Sequence, residues 1–261
     1  MGVTRWQFCF SIESSSFMAV AWSQRTGDIL HEVRTAGKSV RLYTNGVFHS
    51  QWNPNRLLTR SVWDSLMISA FFVHPPALRR VLILGVGGGV VIKQFNELFP
   101  AVDIVGVELD PMHIKIAKKW FEISKEDATL IQADAQQWMY AYDGPKFDLI
   151  IDDLFGDNNG EVARAVAVDR DWAEQLCKHV SDAGILTVNF IGKPELRNSA
   201  LYKGKQFKNR YCFTPPFCDN AVSVFIKNNT TIEQWKRRVN DHPTLKASQK
   251  KAILGDPRRA F

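Results

Sequence analysis

The stretch VLILGVGGGV, residues 81–90, sets four glycines within five positions directly after four aliphatic residues. The aliphatic run reads as a buried strand, and VVIKQFNELF, which overlaps its end, reads as a helix. A bare turn between them lets the backbone fold tightly and lets a ligand approach closer than any Cβ allows. The amino end of the helix adds backbone N–H donors and a dipole that favours an anionic group. Such a turn suits a nucleotide or nucleoside, although a strand-to-helix turn without a ligand uses the same residues.

Reading outward, strands alternate with helices. VDIVGVEL, ATLIQA, FDLIIDDL and ILTVNF are near-continuous apolar runs; MHIKIAKKWF, AQQWMYAY and RDWAEQLCKHV carry apolar residues at helical spacing. This alternation predicts a mostly parallel sheet with helices on both faces. The carboxyl ends of its strands then open onto one crevice. Glu108 ends the second strand, where a carboxylate accepts hydrogen bonds from a ribose diol. Asp134 follows the third, placed to accept from an adenine amine, though it also suits a helix cap. With Gly85, Gly87, Gly88 and Gly89 they predict an adenosine site. Gly85 and Gly87 match the start of G-x-G-x-x-G, but Val90 occupies its third glycine position and argues against a dinucleotide. No G-x-x-x-x-G-K-[ST] phosphate loop is present.

Residues 1–52 have a different character. RWQFCFSI, FMAVAWSQ, ILHEVRT and SVRLYTNGVF are β-prone runs separated by ESSS, RTGD and TAGK, which predicts a small antiparallel sheet. A helix follows over about 60–72 and ends before Pro75–Pro76. Beyond residue 208, RYCFTPPF and AVSVFIKN predict a closing hairpin, and TIEQWKRRV a late helix. The predicted organisation is an N-terminal β-rich domain over 1–58 and a nucleoside-binding domain over 59–261.

Among 261 residues, 45% are hydrophobic and 23% charged, enough apolar material for a sizeable core. The net charge of +6 is mild and partly late in the chain, so a nucleic-acid partner is not expected. No apolar run has the length of a membrane span, and the first residues lack a signal-peptide pattern. Cys9, Cys177, Cys212 and Cys218 form no C-x-x-C pair and have no histidine at zinc spacing; reduced thiols in a cytoplasm, and no metal, are expected.

Asp152, Asp153 and Asp157 cluster where the fourth strand meets the crevice. Strand alternation lets only one of Asp152 and Asp153 face it. Such a carboxylate can orient a nucleophile and accept its proton. Asp152, Asp157 and His49 are candidate substrate contacts, and Asn189 is a weaker one; the histidine also reads as a packed hairpin residue.

The loop with its two acids resembles the class I S-adenosylmethionine-dependent methyltransferase fold. LYTNGVFHSQ, VHPPALRRVLILGVGGG, VGVELDP and FDLIIDDLFGD, in that order over roughly residues 28–160, resemble the spermidine synthase family. The resemblance implies a seven-stranded Rossmann-like sheet with a small N-terminal β-rich domain, which in that family serves dimerisation. It implies S-adenosylmethionine or its decarboxylated form held by Gly85, Gly87, Glu108 and Asp134, and Asp153 at the catalytic position. The chain also departs from the family. Gly88 stands where the loop carries an aspartate that holds the amine of the decarboxylated cofactor. Asp64 and Ser65 replace a tyrosine and its neighbour, and Gly156 replaces the second aspartate of the fourth-strand motif. Methyl transfer to a small nucleophile is therefore the expected activity. Polyamine aminopropyl transfer is the first alternative, and a non-catalytic nucleoside-binding module the second.

Overall fold

The computed structural model describes residues 18–158, 161–254 and 258–259. The predicted strand RWQFCFSI and Cys9 lie outside them.

Four antiparallel strands open the chain: β1 (Ala19–Thr26), β2 (Ile29–Ala36), β3 (Ser39–Thr44) and β4 (Val47–Trp52), paired in sequence order. SVRLYTNGVF, taken as one run in the sequence, is two strands. Asn45 and Gly46 sit at φ 51° and 81°, the left-handed pair that closes a two-residue hairpin whose twist matches its strands. Next come α1 (Val62–Ile68) and a 3-10 turn (Ser69–Phe72), splitting the helix expected over 60–72.

The remaining order is β5 (Arg80–Leu84), α2 (Val90–Leu98), β6 (Asp103–Glu108), α3 (Pro111–Trp120), β7 (Thr129–Gln132), α4 (Ala135–Ala141) and β8 (Phe147–Asp152). A hairpin that the sequence did not suggest follows, β9 (Phe155–Asn158) with β10 (Glu161–Arg164). Then come α5 (Arg170–His179), β11 (Val180–Phe190), α6 (Lys193–Asn198), α7 (Ala200–Lys203), β12 (Asn209–Phe213), β13 (Ala221–Ile226), α8 (Ile232–Asp241), α9 (Ala247–Leu254) and β14 (Arg258–Arg259).

The large sheet runs β12-β13-β11-β8-β5-β6-β7, with two-residue β14 at the β12 edge. β11, β8, β5, β6 and β7 are parallel; β13 lies antiparallel between β11 and β12. This is the expected α/β fold, with helices covering both faces. Period-two alternation sorts the core: Val81 and Ile83 pack with Phe95 and Trp235 on one face, Leu82 and Leu84 with Met139 and Trp172 on the other. Both faces are dry, so the strands carry no polar alternation. No helix among the described residues is long and apolar enough to cross a membrane.

Candidate nucleoside crevice

Backbone hydrogen bonds tie the strand ends into one ledge. Gly85 N donates to the Val107 carbonyl at 2.9 Å, Asp153 N to the Leu84 carbonyl at 2.9 Å, and Ala133 N to the Glu108 carbonyl at 3.1 Å. The glycine turn, Glu108, Asp134 and Asp153 therefore stand on adjacent strands at one end of the sheet. Gly85 has φ 84°, and a Cβ there would land on the Asp153 carbonyl. At Gly87 a Cβ would stand 2.8 Å from the Ser50 hydroxyl and 3.2 Å from the His49 carbonyl oxygen. The bare turn thus serves close packing of β8 and β4 as well as any ligand.

Glu108 is 8% exposed and turned toward the loop. Its Oε2 accepts from Val86 N and Gly87 N at 2.9 Å each, and Oε1 from Asp110 N at 3.0 Å. Burial opposes its charge, but His113 and these N–H donors outweigh burial and hold the carboxyl at about 2. Asp134 caps α4, accepting from Gln137 N at 2.9 Å.

The paired aspartates separate as alternation requires. Asp152, a candidate substrate contact in the sequence, is fully buried and paired within the protein: Arg164 Nη2 reaches both its oxygens at 3.0 Å and Trp172 Nε1 donates at 2.9 Å. A buried carboxylate needs such partners, and these anchor the β9–β10 hairpin. Asp153 is half-buried and accepts from Asn189 Nδ2 at 2.7 Å; Asn220 Nδ2 donates to Asn189 Oδ1 at 3.0 Å. Desolvation pushes the Asp153 carboxyl up to about 6, against the Asn189 amide and the Arg164 charge. Asp157 lies in β9, and its side chain is outside what the structure describes.

Two departures from the family pattern acquire physical reasons. A Cβ at Gly88 would lie 2.6 Å from the buried Phe121 ring, and the Gly88 N–H is taken by the Ser50 hydroxyl at 2.7 Å. As the loop stands, position 88 leaves no room for the family's aspartate without a shift of Phe121. Asp64 is 7% exposed and accepts from Thr59 N, Arg60 N and Gln94 Nε2, so it braces the start of α1. Gly89, at φ 83°, is the N-cap of α2.

His49 is half-buried; burial and then neighbouring His113 push it down to about 3, so it stays neutral and cannot act near neutrality as a cation. Its ring stands 4.9 Å from that of His113. Ser50, His31 and Asn220, which the sequence did not single out, reach the ledge from distant segments, and Asp110 and His113, equally unmarked, follow Glu108 at the start of α3. Leu109 was also missed: 65% exposed beside Glu108, it offers an apolar surface at the crevice lip. A broad apolar groove lined by Phe71, Leu78, Leu98, Phe99, Arg238 and His242 lies at the opposite end, where β5 and β6 begin.

Residues 81–169 match the model of a methyltransferase domain. The chain is 30% identical over 142 residues to a polyamine aminopropyltransferase of Vibrio vulnificus, covering 52% of this chain and 46% of that protein. It is 22% identical over 181 residues to an eEF1A lysine and N-terminal methyltransferase homolog of Drosophila melanogaster, covering 61% and 25%. The chain thus spans about half or less of the length of these relatives. Among solved structures, a probable spermidine synthase from Corynebacterium glutamicum superposes with TM-score 0.67 at 15% identity, covering 90% of this chain and 94% of that one. Human methyltransferase-like protein 13, in complex with SAH, gives 0.59 at 17%, covering 76% and 94%. Strand order and sequence agree on the class I methyltransferase fold, and within it the chain is similar to polyamine aminopropyltransferases and to methyltransferases.

Proposed function

We propose that the protein is an S-adenosylmethionine-dependent transferase that methylates a small nucleophilic acceptor. The residues fit an adenosine. Glu108 is held ionised, and its Oε1, which accepts one backbone N–H and has His113 Nδ1 no nearer than 3.7 Å, keeps a lone pair for a ribose hydroxyl. Leu109 supplies an apolar surface for a purine, and Asp134 stands on the next strand. When bound, S-adenosylmethionine supplies an electrophilic methyl group on a sulfonium.

The chain's own part is positioning and proton handling. Asp153, with a carboxyl at about 6, is mostly ionised at neutral pH yet basic enough to accept a proton from the acceptor. Asn189 engages Oδ1 and thereby orients the carboxylate. The preference for methyl over aminopropyl transfer rests on Gly88, which offers no carboxylate to a cofactor amine and has Phe121 against its Cβ position. A site without that acid tolerates a cofactor carboxylate, which an aspartate there would repel.

Calorimetric titration with S-adenosylmethionine, its decarboxylated form and methylthioadenosine tests this function. The carboxylate-bearing ligand is expected to bind more tightly than the decarboxylated one. Strong preference for the decarboxylated form would instead support aminopropyl transfer. Binding without turnover on any amine or hydroxyl acceptor would leave a nucleoside-binding module, and no binding at all would remove the site.

A further inference from the structure

Where the N-terminal sheet meets the ledge, three histidines and two carboxylates gather. His31 comes from β2, His49 from β4, and Asp110 and His113 from the first turn of α3 and its cap, with Glu108 just before. His31 is 3% exposed and His113 7%, whereas the Asp110 side chain keeps 26% of its surface. His31 Nε2 lies 2.7 Å from Asp110 Oδ2, and His113 Nε2 lies 3.8 Å from the same oxygen. One ligand atom from each of the three residues falls within 4.8 Å of the others.

From this geometry we infer that His31, Asp110 and His113 bind a divalent transition-metal ion of the zinc type, at the seam between the N-terminal sheet and the crevice.

The donor set, two imidazoles and one carboxylate, is what zinc accepts with a fourth position left for water or another ligand. Bonds of about 2.0–2.2 Å in a tetrahedron put neighbouring ligand atoms about 3.3 Å apart. The two measured edges, 2.7 and 3.8 Å, bracket that spacing, so small side-chain rotations complete the site. A second observation concerns the surrounding groups. His113 Nδ1 faces Glu108 Oε1 at 3.7 Å, an ion-pair contact that a small ring shift turns into the carboxylate–histidine arrangement that leaves Nε2 to a metal. At present that Nε2 pairs with the Thr44 hydroxyl at 2.8 Å, a weak partner that a cation displaces. His31 Nε2 donates to the Asp110 carboxylate, an acceptor only, and leaves Nδ1 buried with no hydrogen-bond partner among the described residues; an ion taking the place of that proton on Nε2 meets no competing bond at Nδ1. His49 adds a buried Nε2, without a hydrogen-bond partner among the described residues, on a ring 4.9 Å from His113. The half-open Asp110 gives the ion its way in.

This inference stands apart from the proposed transfer reaction, and its test uses no substrate. Untagged full-length chain, stripped with chelator, is titrated with Zn2+ and, as control, Mg2+, and its melting temperature is followed. The expected result is one saturable Zn2+ per chain, a raised melting temperature, and no response to Mg2+. Co2+ loading should give the intense visible absorption of a four-coordinate site. His31→Gln and His113→Gln should each weaken Zn2+ binding at least tenfold. If either variant fails to fold, X-ray absorption on the Zn2+-loaded unmutated chain counts imidazoles directly: two or more support the site. Absence of saturable binding, unchanged affinity in the folded variants, or a zinc spectrum without imidazole would overturn it.

Discussion

Asn189 holds Asp153: its side-chain amide donates to the carboxylate at 2.7 Å across the gap between β11 and the end of β8. A hydrogen bond to the ionised form favours that form, so this contact opposes the desolvation that raises the Asp153 pKa. Asn189→Leu removes the donor while keeping the volume. The acid limb of the rate–pH profile is expected to move up by roughly half a unit to one unit. Turnover then falls at pH 6 and recovers by pH 9. A purely structural role for Asn189 predicts equal loss at both.

Asp153→Asn separates chemistry from stability. Loss of a general base lowers turnover by about 10²- to 10⁴-fold, with cofactor affinity nearly unchanged. Stability moves the other way. The folded pKa, about 6, lies above the ordinary 3.8, so the folded state binds the proton more tightly. Its stability contribution is complete below pH 3.8 and is lost as pH rises toward 6. The variant, with nothing to ionise, should gain roughly 1–2 kcal/mol above pH 6, after allowance for partial exposure, and nothing at pH 3.5. Urea melts at the two pH values measure the difference.

Gly88→Asp is expected to be destabilising before it is informative about cofactor choice. The new Cβ meets Phe121 at 2.6 Å, and overpacking of this kind costs about 1–3 kcal/mol. Adding Phe121→Ala to Gly88→Asp opens the space, so the pair should be less destabilised than the sum of the single changes. Chemical denaturation of the four members of this cycle tests that. A neutral Gly88→Asp would show that Phe121 moves aside freely.

Arg164→Met strands the Asp152 carboxylate in the core without its guanidinium. A broken buried pair costs about 3–5 kcal/mol, and Asp152→Asn should cost less because the buried Arg164 guanidinium keeps the Val166 and Asn189 carbonyls and Glu195 as partners. Equal losses in the two variants would mean that the Trp172 bond and packing, rather than the charge pair, hold the β9–β10 hairpin.

The sheet was legible because its strands are buried on both faces, so Val81–Leu84 and Leu149–Ile151 read as unbroken apolar runs between amphipathic helices. Glu108, Asp134 and Asp153 were legible for a related reason: residues at the ends of successive parallel strands share a crevice by topology alone. The β9–β10 hairpin was not, since FGDN and EVAR carry little apolar alternation and are tied down by the distant Asp152–Arg164 pair. The β3–β4 break left a signal in Asn45–Gly46 that the longer run obscured.

By itself, then, the sequence determined the layer architecture and the strand-end acids, because both follow from periodicity and chain order. Tertiary structure alone decided what each group near the ledge can do. It assigned Asp152 to Arg164 and Asp153 to Asn189, and it put Phe121 against Gly88. It also brought His31 to Asp110 across 79 positions of chain. No local spacing encodes these meetings. They arise when the large sheet, its helices and the N-terminal sheet pack together and place side chains from separate segments within bonding distance.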